Sequence, residues 1–161
     1  EPRIRKEVLL YLEGTPDPRA MPYILKFLQD EVPALRVHAL KVLARSGFKG
    51  AVKPVLDIAT SAEFGDRDIS EKKAIFEALG ELGSDELIPM FEEMIMKRYW
   101  FNKAKEKESV MLAASALRRV KTDAAVKVLE EAGKVKKDEI KTIITQVLRS
   151  IAAEKAKVAA K

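Results

Sequence analysis

Cysteine is absent from the 161-residue chain. That excludes disulfides, thiolate metal sites and cysteine nucleophiles, and it is compatible with the cytoplasmic location we expect. Histidine occurs once, as His38. A metal role for it would need further ligands, and no motif supplies them. There is no glycine-rich phosphate loop, no GxSxG elbow and no His–Glu metal spacing, so neither an enzyme nor a cofactor is expected. No apolar run approaches the roughly 20 residues of a membrane span, and no signal-peptide pattern is present. Glycine and proline are few, seven of each, and both gather at punctuation points. The chain opens at Glu1 without methionine, and we expect a single domain over 1–161 belonging to a longer protein.

What remains is 47% hydrophobic and 34% charged, ample for a buried core and too apolar for a disordered chain. Alanine, leucine, glutamate and lysine dominate, which favours helix. The net charge of +5 conceals a split. Residues 1–96 carry 13 Lys/Arg against 17 Asp/Glu, whereas residues 97–161 carry 17 against 8. Such asymmetry bears on partners rather than on fold.

The most regular stretch is LRVHALKVLARSGFKGAVKPVLDIA, from Leu35 to Ala59. It reads as two amphipathic helices joined by the turn Ser46–Gly50. Aligning Arg5 with Arg36, an offset of about 31 within the period range of repeat proteins, places Val8, Leu12, Ala20, Ile24 and Leu25 on Ala39, Leu43, Ala51, Val55 and Leu56. Further copies place Leu43, Gly47 and Val55 on Leu79, Gly83 and Phe91, then Ala39, Leu43, Ala51 and Val55 on Ala113, Leu117, Ala125 and Leu129. Small and apolar residues recur at helical spacing in each copy.

Helices are expected over Ile4–Glu13, Ala20–Gln29, Ala34–Arg45, Ala51–Ser61, Ser70–Leu82, Asp85–Lys97, Lys105–Val120, Asp123–Gly133 and Asp138–Ala156, the last reaching toward Lys161. Ser84, Thr122 and Lys137-Asp138 stand where capping or first-turn residues belong, and Gly47, Gly83 and Gly133 where helices end. Pro16, Pro18 and Pro33 fall in turns or at helix starts, and Pro22, Pro54 and Pro89 in first turns, where a missing N–H costs little. A hairpin of this kind cannot bury its apolar face alone, so neighbours must stack. The fold class expected is all-α: an α-solenoid of about four stacked hairpins with a C-terminal capping helix.

Within Ala20–Arg45, Pro22 lies in the first helix, Asp30 in the turn, and Leu35-Arg36 opens the second helix. Asp66 and Lys72 repeat the spacing of Asp30 and Arg36. This pattern resembles the HEAT repeat, over nearly the whole chain. The resemblance implies that Asp30, Arg36, Asp66 and Lys72 form an acid–base ladder between successive repeats. The periods are shorter than the usual HEAT length, and Val110 holds the arginine place in the fourth unit. In these respects the units are similar to short bacterial HEAT-like repeats of the phycobilin-lyase type.

Two units are lengthened, both in the turn between their helices: SAEFGDRD (Ser61–Asp68) and KRYWFNKAKEK (Lys97–Lys107). Inserted turns of a repeat array project from one edge, commonly the binding face. Along that edge QDEVP, SAEFGDRD, KRYWFNKAKEK and AGKVKKD run from acidic to basic. In the longer turn Tyr99, Trp100 and Phe101 are consecutive, flanked by Lys97, Arg98, Lys103, Lys105 and Lys107. They read as a partner anchor, since aromatic and arginine side chains dominate interface hot spots. They also read as a plug folded back into an irregular turn, or as a mixture of the two with Trp100 packed and Tyr99 near the surface.

The basic set Arg118, Arg119, Lys121, Lys127, Lys134, Lys136, Lys137 and Lys141 reads as a solvated face interleaved with acids, or as a patch for an anionic partner. Met90, Met94, Met96 and Met111 read as core filler. The function expected is a non-catalytic protein-interaction scaffold whose partner presents an acidic surface to Lys97–Lys107. Nucleic-acid binding through the basic half is the alternative, as is a HEAT-like DNA glycosylase using Tyr99, Trp100 and Asp123.

Overall fold

The computed structural model describes residues 1–14 and 17–160. Pro16 and Lys161 lie outside the described residues. Among these the chain is helical throughout, with no strand. It divides into two compact units, Glu1–Leu82 and Gly83–Lys161.

The first unit contains α1 (Pro2–Glu13), α2 (Met21–Lys26), α3 (Pro33–Ser46), α4 (Val52–Ala59) and α5 (Ile69–Gly83). The helix expected over 20–29 is α-helical only across α2, with single 3-10 turns at Pro18–Ala20 and Phe27–Gln29. Pro22 occupies the first turn of α2 without cost, and the tighter turns take up the carbonyls that a short helix leaves over. Both α1 and α2 pack against α3. The second unit contains α6 (Ile88–Met96), α7 (Lys103–Val120), α8 (Asp123–Val135) and α9 (Asp138–Ala159). There α7 packs against α6, α8 and α9.

The repeat is visible in burial. Ala39, Leu43, Ala51, Val55, Leu79, Phe91, Ala113, Leu117, Ala125 and Leu129 are all fully buried. Polar bonds follow the same period: Arg36–Glu71, Lys107–Glu139, Arg118–Glu154, Lys155–Asp123 and Thr122–Asp85 join residues 35, 32, 36, 32 and 37 apart. The four methionines expected as core filler are half-buried instead.

Helix ends differ from expectation in informative ways. Gly47 ends α3 at φ 65, the left-handed geometry that glycine adopts freely. Gly83 stays within α5, and Ser84 takes the left-handed conformation one residue later, at φ 50. Gly133 lies inside α8, which continues to Val135. At the place of Gly47 in the fourth copy stands Lys121, which ends α7 at φ 63 despite its side chain. Thr122 then caps α8 by accepting from the Ala125 N–H, as its position suggested.

Candidate functional site

The two inserted turns fold in opposite ways. Ser61–Asp68 curls into a 3-10 turn, Ala62–Asp66. Its aromatic residue turns inward: Phe64 meets Phe76 edge to face at 5.8 Å, and the buried Lys72 holds its ammonium 5.6 Å from the Phe64 ring centroid. The second turn is shorter than Lys97–Lys107, because the Asn102 side chain accepts from the Lys105 N–H and starts α7 at Lys103. Asn102 is a strong N-cap residue, and it was the signal for this earlier start. Lys103, Lys105 and Lys107 therefore stand on the first turns of a helix, exposed.

The aromatics of this second turn reverse the expected arrangement. Tyr99 is half-buried, clasped between the Lys97 and Lys105 ammonium groups at 5.7 and 5.9 Å from its ring centroid. Trp100 is 80% exposed and Phe101 fully so, with Arg98 exposed before them. Cation–π contact on Tyr99 is compatible with water, so this ring fixes the turn while its neighbours project.

The turn borders an open cleft of about 830 Å³. One wall carries Arg98, Tyr99, Trp100 and Lys103; the other carries Val135, Lys137, Asp138 and Ile140 from the α8–α9 connection. The walls are tied by Lys136. It is buried, and its ammonium donates to the Lys97 carbonyl at 3.0 Å and to the Glu106 carboxylate at 2.6 Å. On the rim Lys107 bonds Glu139 at 2.9 Å, and this lysine holds the Glu139 carboxyl below its usual range. Asp138 sits at φ 54, a left-handed conformation that few residues other than Gly, Asn and Asp adopt readily. Lys136 is spent on structure, which leaves Arg98, Lys103 and Lys137 as the cations that face solvent around Trp100.

Two more of the basic set are paired with acids. Arg118 pairs with Glu154 and Lys134 with Glu131, while Lys127, Lys137 and Lys141 are exposed. Asp123 does not join the cleft; it is exposed, on the first turn of α8, and bonds Lys155 at 3.0 Å. His38 bonds Glu13 at 2.7 Å through Nε2.

Of the ladder expected from Asp30, Arg36, Asp66 and Lys72, the first pair is held as follows. The Arg5 Nε donates to Asp30 at 2.7 Å, and the same carboxylate accepts the Val32 N–H at 2.8 Å. The Arg36 guanidinium donates Nη1 to the Asp30 carbonyl at 2.7 Å, and Nε with Nη2 to Glu71, both at 2.6 Å. Arg67 also bonds Glu71. Asp66 is carried outward by the 3-10 turn and is exposed, whereas Asp68 caps α5 by accepting the Glu71 N–H at 2.9 Å and so positions Glu71. Sequence offered one clue to Glu71, its separation from Arg36 by about one repeat period.

Among the described residues no helix is long and apolar enough to cross a membrane, and no group of three or more His, Asp or Glu side chains is placed to hold a metal ion. Set against known proteins, the chain matches no family model, no curated protein and no solved structure.

Proposed function

We propose that the chain is a non-catalytic protein-binding module: a HEAT-like α-solenoid of about four hairpins, with α9 as its capping helix. Its binding site is the cleft beside the turn that carries Trp100. One observation carries this reading, the exposure of Trp100 and Phe101 on a turn held in place by Lys136, Tyr99 and the Asn102 cap. Large apolar side chains held in water on an ordered support lower the entropic cost of binding, and tryptophan with arginine is the usual hot-spot pair. Arg98, Lys103 and Lys137 around them favour a partner with an acidic surface and speed its approach.

Nucleic-acid binding is the second reading, supported by aromatic rings next to cations, on which bases stack. Glu106 and Glu139 in the same cleft are paired with Lys136 and Lys107, so the choice between the two readings rests on the binding test. The test is affinity capture on wild-type chain and on the double variant R98E/W100A. Recovery of a partner by the wild type and its loss with the variant supports the site; equal recovery contradicts it. Binding to single-stranded or duplex DNA that is strong at low salt and falls steeply with added salt would instead favour the second reading.

A further inference from the structure

Two neighbouring residues at the end of α8 stand in each other's expected environment. The buried stripe of α8 runs through Ala125, Val128, Leu129 and Ala132, and its helical spacing next reaches Val135 and Lys136. It is the lysine that is 7% exposed and the valine that is 53% exposed. Lys136 is buried because the Lys97 carbonyl and the Glu106 carboxylate receive its ammonium. Val135 is left in water, on the wall of the cleft that Trp100 borders from the other side. Departures from the burial rule of this kind gather at functional sites.

Single exposed apolar residues need no explanation, whereas a cluster marks a contact surface. Among the described residues of the second unit, the large apolar side chains most open to water are Trp100, Phe101, Val135 and Val158. Two of these four line this one cleft, which Ala104 and Ile140 also line. Each wall thus offers an apolar side chain to whatever enters.

Each wall also offers positive charge. Five cations and three carboxylates line the cleft. Lys136 with Glu106 and Lys107 with Glu139 are already paired. That leaves Arg98 and Lys103 on one wall and Lys137 on the other, against Asp138 alone. The rim shows the pairing these cations would make, since Lys107 holds the Glu139 carboxylate at 2.9 Å.

We propose that the cleft takes a short acidic segment of a partner protein in which one apolar residue is flanked by acidic ones. The apolar side chain sits between Trp100 and Val135, and the carboxylates meet Arg98 and Lys103 on one side and Lys137 on the other. The proposal rests on the protein-binding reading and adds a selecting wall to it. Charge pairs at an exposed rim add little affinity on their own. Withdrawing an apolar side chain from water adds more, so Val135 and Ile140 decide which acidic segments are held.

The test titrates the whole chain calorimetrically, at physiological salt, with three short synthetic peptides: glutamates around a central leucine, glutamates around a central serine, and lysines around a central leucine. The acidic peptide with leucine should bind about tenfold more tightly than the one with serine, and the basic peptide should not bind. Val135→Ser should abolish this preference while the affinity for the serine peptide stays as it was. Val158→Ser, at an exposed valine outside the cleft, should leave the preference intact. Both valines are exposed, so circular dichroism should show an unchanged fold in each variant. Equal affinities for the two acidic peptides would overturn the proposal and leave the acidic-partner reading standing. Binding of neither would overturn both. A preference that survives Val135→Ser would overturn the proposal, as would a concentration-dependent dimer that this variant dissociates, because the occupant would then be a second copy.

Discussion

Arg36 and Glu71 meet through two parallel N–H···O bonds of 2.6 Å, although 35 residues separate them in sequence. The fork leaves one guanidinium nitrogen for the Asp30 carbonyl at 2.7 Å, so a single arginine ties together the α2–α3 turn and the start of α5. Glu71 is almost fully buried and faces Arg67 as well. Two cations and one buried carboxylate form the polar centre of the first unit.

Removing that carboxylate leaves two guanidinium groups without their shared counter-ion. Glu71→Gln should destabilise the chain by about 3 kcal/mol, within the range for breaking a buried ion pair from one side. Arg36→Lys should cost less but still be felt, because an ammonium cannot reproduce the fork. Urea unfolding of the two variants and the wild type checks the order.

The same groups set a pH dependence. Burial opposes ionisation of Asp30 and Glu71, yet the Val32 N–H and Arg5 outweigh it at Asp30, and Arg36 with Arg67 outweigh it at Glu71. Both carboxyls therefore titrate below their ordinary values of 3.8 and 4.5. With folded-state values depressed, their contribution is fully present above the unfolded values and is lost as pH falls through the folded ones. Stability should be level down to about pH 5 and then decline. Unfolding free energies measured across that range should fall less steeply for Glu71→Gln, which has already lost one of the two groups.

Lys121 ends α7 in a left-handed conformation at φ 63, the geometry that Gly47 supplies at the end of α3. A side chain there costs about 1 kcal/mol. Lys121→Gly should raise stability by about that amount, and thermal unfolding of the two proteins side by side reads the difference.

The sequence made the helices and their periodicity legible, because the core positions are alanine, leucine, valine and phenylalanine at fixed spacing. The residues equivalent to Leu43 and Val55 are buried in both further copies, as Leu79 and Phe91 and as Leu117 and Leu129. It was less informative about polar partners. Asp66 has the spacing of an acidic ladder residue, but a 3-10 turn directs it outward and places Glu71 opposite Arg36 instead. Nor does a tyrosine–tryptophan–phenylalanine run say which ring turns inward. That depends on Lys97 and Lys105 closing on Tyr99 and on Asn102 starting α7 early, both matters of local geometry. Lys136 looked like one more surface lysine, and its burial depends on the Lys97 carbonyl, which pattern alone does not bring near.

Trp100 is the single tryptophan, so its fluorescence, excited beyond the tyrosine absorption, reports the proposed site. The most direct measurement follows its emission and iodide quenching while synthetic glutamate-rich peptides containing aromatic residues are added. The account predicts red-shifted, readily quenched emission in the free chain. Bound acidic peptide should shift the emission to the blue and protect it from iodide, and the double variant R98E/K103E should lose both effects. Blue, protected emission from the free chain would contradict the account. So would an emission that no acidic peptide moves while a single-stranded oligonucleotide does.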